Sequence, residues 1–181
     1  MDFSEPRVIA EFGPGEGCHT REIVRRLRPG SRLFLFELDT ELANHLAVQF
    51  RDDPRVTVLN SDAATLPEQL LRHNCTQCDY VLSGIPFSLL EAEKKRTLLR
   101  ATHDALRPAH HAAFIIYQVT NELKEKGHCA HFPRVESEYC LQNIPPMFVT
   151  KFYRTLNGHT TNGANGHAHQ SNGAVAAQRR Q

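Results

Sequence analysis

Val8-Ile-Ala-Glu-Phe-Gly-Pro-Gly-Glu-Gly17 is the stretch on which the fold turns. A hydrophobic run ends in an acid and is followed by glycines at 13, 15 and 17, which reads as a strand feeding a ligand-binding turn. Glycines let the backbone turn tightly and approach a ligand with no Cβ in the way, just where Cys18 to Arg28 begins a helical pattern. A dinucleotide fingerprint requires G-x-G-x-x-G, whereas here the third glycine comes one residue early and position 18 is Cys. Glu11 agrees, because a carboxylate at the strand end repels a pyrophosphate and suits a cationic amino-acid moiety.

The remaining composition narrows the class. A chain of 181 residues holds one domain of ordinary size, and 21 basic against 20 acidic residues announce no polyanion-binding surface, so nucleic acid is not an expected partner. No apolar run approaches the roughly 18 to 20 residues that cross a bilayer, and Met1-Asp2-Phe3-Ser4-Glu5 is no signal peptide, so the expected compartment is the cytoplasm. Cysteines at 18, 75, 78, 129 and 140 give an odd count with one C-x-x-C, which fits reduced thiols. Past Leu156 the sequence is mostly Asn, Gly, His, Thr, Ala and Gln, with Arg179 and Arg180 its formal charges and no acid or aromatic, so residues 1–156 are expected to form the domain and 157–181 a disordered tail.

Within the domain two periods alternate. Arg7 to Phe12, Leu33 to Leu38, Val56 to Leu59, Tyr80 to Ser83 and Ala112 to Val119 are short apolar runs of the kind buried in a parallel sheet. Between them, Leu42, Ala43, Leu46, Ala47 and Phe50 follow an Asp39 cap with helical spacing, Pro67-Glu68 opens a second helix, and a third spans about Leu89 to Leu106 before Pro108. Val135 to Gln142 and Met147 to Tyr153 are separated only by Asn143-Ile-Pro-Pro146, too short for a crossover helix and therefore an antiparallel pair. The predicted fold is α/β: a doubly wound, Rossmann-like sheet, mostly parallel, with a C-terminal antiparallel hairpin.

The E-x-G-x-G-x-G turn resembles motif I of the class I S-adenosylmethionine-dependent methyltransferases, and the terminal hairpin is the architecture associated with them. The resemblance implies S-adenosyl-L-methionine as cofactor, with Glu11, Gly13, Gly15 and Gly17 around it. Glu37, about twenty residues beyond the turn, stands where an acid accepts the ribose hydroxyls, with Leu38 beside it. Asp62 and Ala63 follow the third strand and, by the resemblance, take the adenine; Ser83 closes the set at the end of the fourth strand.

The acceptor is read from Asp79-Tyr-Val-Leu-Ser-Gly-Ile-Pro-Phe87. It resembles the N-L-P-Y loop of rRNA adenine dimethylases, in which an Asn and an aromatic grip a planar base amine. Gly84 takes the Asn position and has no side-chain acceptor, which disfavours adenine. The form S-G-I-P is similar to the soluble bacterial phospholipid N-methyltransferases, which convert phosphatidylethanolamine to phosphatidylcholine, and Tyr117-Gln-Val-Thr120 and the Pro-Pro hairpin carry the same likeness over roughly residues 7 to 154. Asn121 departs from it where a second aromatic is expected. The implied reaction is N-methylation of a phospholipid or small amine by a monomer that makes peripheral contact with the inner face of the membrane. Alternatives are a methyltransferase acting on a small-molecule, protein or rRNA amine, and a non-catalytic cofactor-binding domain.

Methyl transfer needs positioning more than catalytic side chains, so Pro86, Phe87 and Tyr117 are the candidates at the acceptor, the two aromatics as faces for a quaternary ammonium. Arg134 and Arg154, with Lys151, are candidates for a lipid phosphate. Cys75 and Cys78, with His73, His128, Cys129 and His131, lack any spacing that completes a zinc site, and no metal is expected. Only seven residues precede Val8, so no counterpart of the helical lid that the resembling enzymes carry is expected here, and weak cofactor binding is expected unless a partner or an upstream segment supplies the cover.

Overall fold

The computed structural model describes residues 1–119, 131–141 and 146–154. Seven strands form one sheet: β1 (Val8–Phe12), β2 (Arg32–Glu37), β3 (Val56–Asn60), β4 (Tyr80–Ser83), β5 (Ala113–Gln118), β6 (Arg134–Cys140) and β7 (Met147–Tyr153), in the order β3-β2-β1-β4-β5-β7-β6. β1 to β5 pair in parallel, and β7 is antiparallel to both β5 and β6. The connections carry α1 (Cys18–Arg26), α2 (Thr40–Gln49), α3 (Leu66–Arg72) and α4 (Ala92–Ala105). The expected class and the antiparallel ending are both observed; residues 142–145 of the hairpin connection and the 157–181 segment lie outside the described residues.

The strands read as unbroken apolar runs because each face is covered by helices. Along β2, Leu33 and Leu35 join Ile23 and Leu27 of the α1 region and Leu46 of α2, while Phe34 and Phe36 join Leu66 and Leu70 of α3 and Leu98 and Leu99 of α4. Burial of side chains of this size contributes roughly 1.5 to 3 kcal/mol each, the main force holding the sandwich together. Since the chain first moves outward from β1 to β3 and then returns to β4 on the other side of β1, strand order reverses between β1 and β4. That reversal opens a crevice at the carboxyl ends of the strands.

Local chemistry sets the helix ends. Asp39 accepts from the Glu41 and Leu42 N–H groups and starts α2 as predicted. The helix expected from Leu89 starts later, at Ala92: Phe87–Leu89 is a separate 3₁₀ turn and Leu90 and Glu91 are extended. The apolar residues 87, 89 and 90 belong to that loop, and Leu89 is 80% exposed. α1 ends two residues before Arg28, because Leu27 turns extended ahead of Pro29-Gly30.

Candidate functional site

The turn after β1 is held by its own backbone and by the end of β2. Gly13, Gly15 and Gly17 have φ of 63°, 56° and 77°, the left-handed region that costs other residues about 1 to 2 kcal/mol. The Gly13 N–H donates to the Phe36 carbonyl at 2.9 Å and the Gly15 N–H to Glu37 Oε2 at 3.1 Å. Space separates the glycines: no atom lies within 4 Å of where a Cβ at Gly15 would stand, whereas one at Gly17 would meet Leu46 Cδ2 at 3.0 Å. Gly15 thus borders open space and Gly17 serves packing.

Glu11, at the fourth position of β1, is 1% exposed. Its Oε2 accepts from Thr20 Oγ1 at 2.7 Å, and Oε1 has no partner among the described residues. Burial pushes the carboxyl up to about 7, against the Thr20 hydrogen bond. A buried acid with one orphaned oxygen is poorly stabilised as an anion, and a cation or strong donor brought to Oε1 completes it. This fits the ammonium of S-adenosyl-L-methionine.

A cavity of about 120 Å³ continues from the turn, lined by Gly13, Glu37, Leu38, Asp62, Ala63 and Lys94, among others. Glu37 accepts from the Gly15 and Asp39 N–H groups, which aims its carboxylate at the crevice. Asp62 Oδ1 accepts from the Ala64 N–H and Oδ2 pairs with Lys94 Nζ at 3.1 Å. Burial acts to raise the Asp62 pKa, but the Ala64 N–H and Lys94 outweigh it and hold the carboxyl below its usual range. Lys94 was not foreseen; a lysine on a helix about thirty positions later carries no sequence signal for this cavity. Ser83 is placed differently from the expectation. It is fully buried, its Oγ accepts from the Ile85 N–H at 3.2 Å, and it shapes the loop without lining the cavity.

Beyond the loop lies a second cavity of about 260 Å³, lined by Gly84, Pro86, Ser88, Tyr117, Gln118 and Met147, with Val119 at its edge. Tyr117 faces the His19 ring at 4.5 Å. Burial, then the charges of Glu11 and Cys18, push its phenol up to about 12, so it keeps its proton, and burial lowers the His19 pKa, so the imidazole is neutral at pH 7. Pro86 and Tyr117, both candidates at the acceptor, line this one cavity. Tyr117 and Met147 also border an apolar groove of about 430 Å³ on the α1 face, shared with Phe3, Ile23, Leu82 and Val149.

Three expected residues do not reach this site. Phe87 is 0% exposed and packs against Phe114 with ring centroids 6.1 Å apart, because the 3₁₀ turn directs it into the core beneath the sheet. Arg134 opens β6 and Arg154 follows β7, and the antiparallel sense of that strand puts both at the amino edge of the parallel strands, opposite the crevice. There Arg134 lies 3.8 Å over the Tyr153 ring and bonds Glu136, and Arg154 Nη1 donates to the Leu106 carbonyl at 2.8 Å. Neither is a phosphate contact. Lys151 is paired with Glu138. Asn121, His128 and Cys129 lie outside the described residues; among the described residues no three His, Cys, Asp or Glu side chains cluster to hold a metal, and no helix is long and apolar enough to cross a membrane.

Known proteins share this arrangement. Residues 1–121 match the family model of the ribosomal RNA adenine dimethylases. The ornithine lipid N-methyltransferase of Singulisphaera acidiphila is 31% identical over 109 residues, 60% of this chain and 57% of the relative. The ribosomal RNA small subunit methyltransferase H of Flavobacterium johnsoniae is 27% identical over 83% of this chain and 48% of its own length. The chain thus spans about half the length of these two relatives. Among solved structures, Aeropyrum pernix fibrillarin with natively bound S-adenosyl-L-methionine superposes with a TM-score of 0.63 at 14% identity, over 83% of this chain and 68% of that one, a likeness of fold. With its motif I turn, its strand order and the match over residues 1–121, the chain belongs to the ribosomal RNA adenine dimethylase family and carries a class I methyltransferase domain whose cofactor is S-adenosyl-L-methionine.

Proposed function

We propose that this chain methylates the amine of a membrane lipid, with phosphatidylethanolamine as the first acceptor to test and an ornithine lipid as the second. The observation that carries this reading is a set of exposed apolar side chains along the carboxyl edge of the sheet, of which Val119 lines the second cavity. Leu89, Val119, Tyr139 and Leu141 are 80%, 56%, 53% and 73% exposed and all follow or flank the carboxyl ends of β4, β5 and β6. Exposed apolar side chains along one edge of the sheet suit a lipid surface, against which they are withdrawn from water. The likeness to an ornithine lipid N-methyltransferase supports the same class of acceptor.

S-adenosyl-L-methionine, when bound, supplies the electrophilic methyl group. In this reading Glu11 meets the cationic amino group and Glu37 the ribose, supported by the unpartnered Glu11 Oε1, the cavity that Glu37 lines and the open space at Gly15. On the acceptor side, Gly84, Pro86 and Tyr117 line the cavity in which a bound amine would displace water. An alkyl ammonium with a pKa of about 10.4 must give up a proton before it reacts, at a cost of roughly 4 to 5 kcal/mol at pH 7 that burial lowers.

A second reading, an rRNA amine as acceptor, is favoured by the family match over residues 1–121. The side-chainless Gly84 and the nearly balanced charge, 21 basic against 20 acidic residues, argue against it. Radiolabel transfer from S-adenosylmethionine separates the readings. Label in phosphatidylethanolamine or ornithine-lipid vesicles, lost in Glu37→Ala, is the expected outcome; label only in ribosomal RNA or soluble amines overturns it. Cofactor binding by calorimetry without transfer to any acceptor selects the non-catalytic alternative.

A further inference from the structure

Tyr117 and Gly84 claim the same space. A Cβ at Gly84 would stand 2.4 Å from Tyr117 Oη, 3.1 Å from its Cζ and 3.0 Å from the Gly13 carbonyl oxygen. Real Cβ atoms essentially never show a contact of 2.4 Å, so the volume just beyond Cα of residue 84 is already filled by the phenol. Backbone shape does not require the glycine, because its φ is outside the left-handed region that Gly13, Gly15 and Gly17 adopt. The cause lies in the sheet. Ser83 and Ile116 are register partners on the parallel strands β4 and β5, so the next residue on each, Gly84 and Tyr117, meet at the carboxyl edge. Val149 of β7 pairs with Tyr117 on its other side, and His19 lies against its ring.

We propose that the Tyr117 hydroxyl takes the place of the missing side chain at residue 84 as the hydrogen-bonding group for the acceptor nitrogen, making Tyr117 and Gly84 one specificity element. The proposal rests on the amine-acceptor reading above. A protonated phenol offers one oxygen that accepts from an amine N–H, and the Gly13 carbonyl borders the same point with a second acceptor. Two such oxygens suit an aliphatic amine, which carries several N–H bonds and no ring edge. They do not reproduce the paired carbonyl and NH₂ of a carboxamide, which matches the edge of a planar base.

The test uses the parent chain, Gly84→Ala, Tyr117→Phe and the double variant. In thermal unfolding, Gly84→Ala is expected to lower the midpoint by about 4 to 8 °C, because a methyl is forced onto the phenol. In the Tyr117→Phe background the drop is expected to shrink to less than half, since only Cζ and the Gly13 carbonyl then remain close. In transfer to phosphatidylethanolamine vesicles, Tyr117→Phe is expected to lose about 10- to 100-fold in kcat/KM with unchanged S-adenosylhomocysteine affinity, which a merely structural role would not produce. Additive midpoint shifts, or parental kcat/KM in Tyr117→Phe, overturn the proposal. Should the parent label a soluble aliphatic amine in place of lipid, the lipid reading fails and the variants are read on that amine: loss there supports the Tyr117 role and parental transfer overturns it, whereas label in RNA alone overturns both. A parent that labels neither overturns both.

Discussion

The turn after β1 and the loop after β4 each set a glycine beside the site, and the two are glycines for opposite reasons. Gly15 sits at φ 56° with nothing within 4 Å of a would-be Cβ, so the chain needs its conformation and leaves its surroundings empty. Gly84 has an ordinary backbone and a full neighbourhood, with Tyr117 Oη 2.4 Å from the same point. Empty space beside a strained turn marks the cofactor side. Filled space beside a relaxed loop marks the side we propose for the acceptor, where a residue from the next strand occupies the space of the missing side chain. The same letter in a sequence thus records a backbone requirement in one half of the site and a neighbour's side chain in the other.

The largest expected effect separates the glycines within the turn itself. Gly17→Val combines a left-handed φ of 77° with a Cβ 3.0 Å from Leu46 Cδ2, and is expected to lose about 3 kcal/mol or more in denaturant unfolding. Gly15→Ala carries the strain without the clash. It is expected to lose about 1 to 2 kcal/mol of stability, yet to weaken S-adenosylhomocysteine binding at least tenfold in calorimetry. Parental affinity in Gly15→Ala would break the assignment of its empty space to the ligand.

Glu11 sharpens the comparison through pH. Its folded pKa of about 7 lies above the ordinary 4.5, so the cofactor-free chain holds the proton that the unfolded chain has already released. Stability is therefore full below about pH 4.5 and falls as pH rises toward and through 7, by roughly 3 kcal/mol in all. Glu11→Gln is expected to flatten this slope in unfolding measured from pH 4 to 8. Affinity of the parent for S-adenosylhomocysteine should rise across the same window, because the ammonium binds the ionised acid; identical slopes in parent and variant would refute the role of Glu11.

The smallest effect concerns the opposite edge of the sheet. Arg154 donates to the Leu106 carbonyl after α4, so Arg154→Ala is expected to cost about 1 kcal/mol of stability and leave transfer to lipid vesicles within twofold of the parent. A large loss of transfer with intact stability would return Arg154 to the substrate phosphate.

How far each residue was legible depended on how local its role is. The glycine turn, Glu37, the Asp39 cap and the strand at Tyr80–Ser83 could be placed from neighbours in the chain, because period, spacing and backbone conformation act over a few residues. Phe87 looked like an acceptor aromatic from its place in the loop, and a single 3₁₀ turn sent it inward against Phe114. Arg134 and Arg154 flank the hairpin in sequence, but the direction of β7 carries them to the far edge. Lys94 reaches Asp62 only because α4 packs beside that loop.

The sequence by itself determined the doubly wound sheet and its antiparallel ending, since these follow from apolar periodicity and a connection too short for a crossover, and it carried the motif I resemblance that implies the cofactor. Only the tertiary structure decided which groups face the acceptor. That choice depends on the register of β4 against β5, which brings Tyr117 into the space of Gly84, and on the sense of β7. Both are pairings between distant segments, set by packing across the sheet, and no local pattern encodes them.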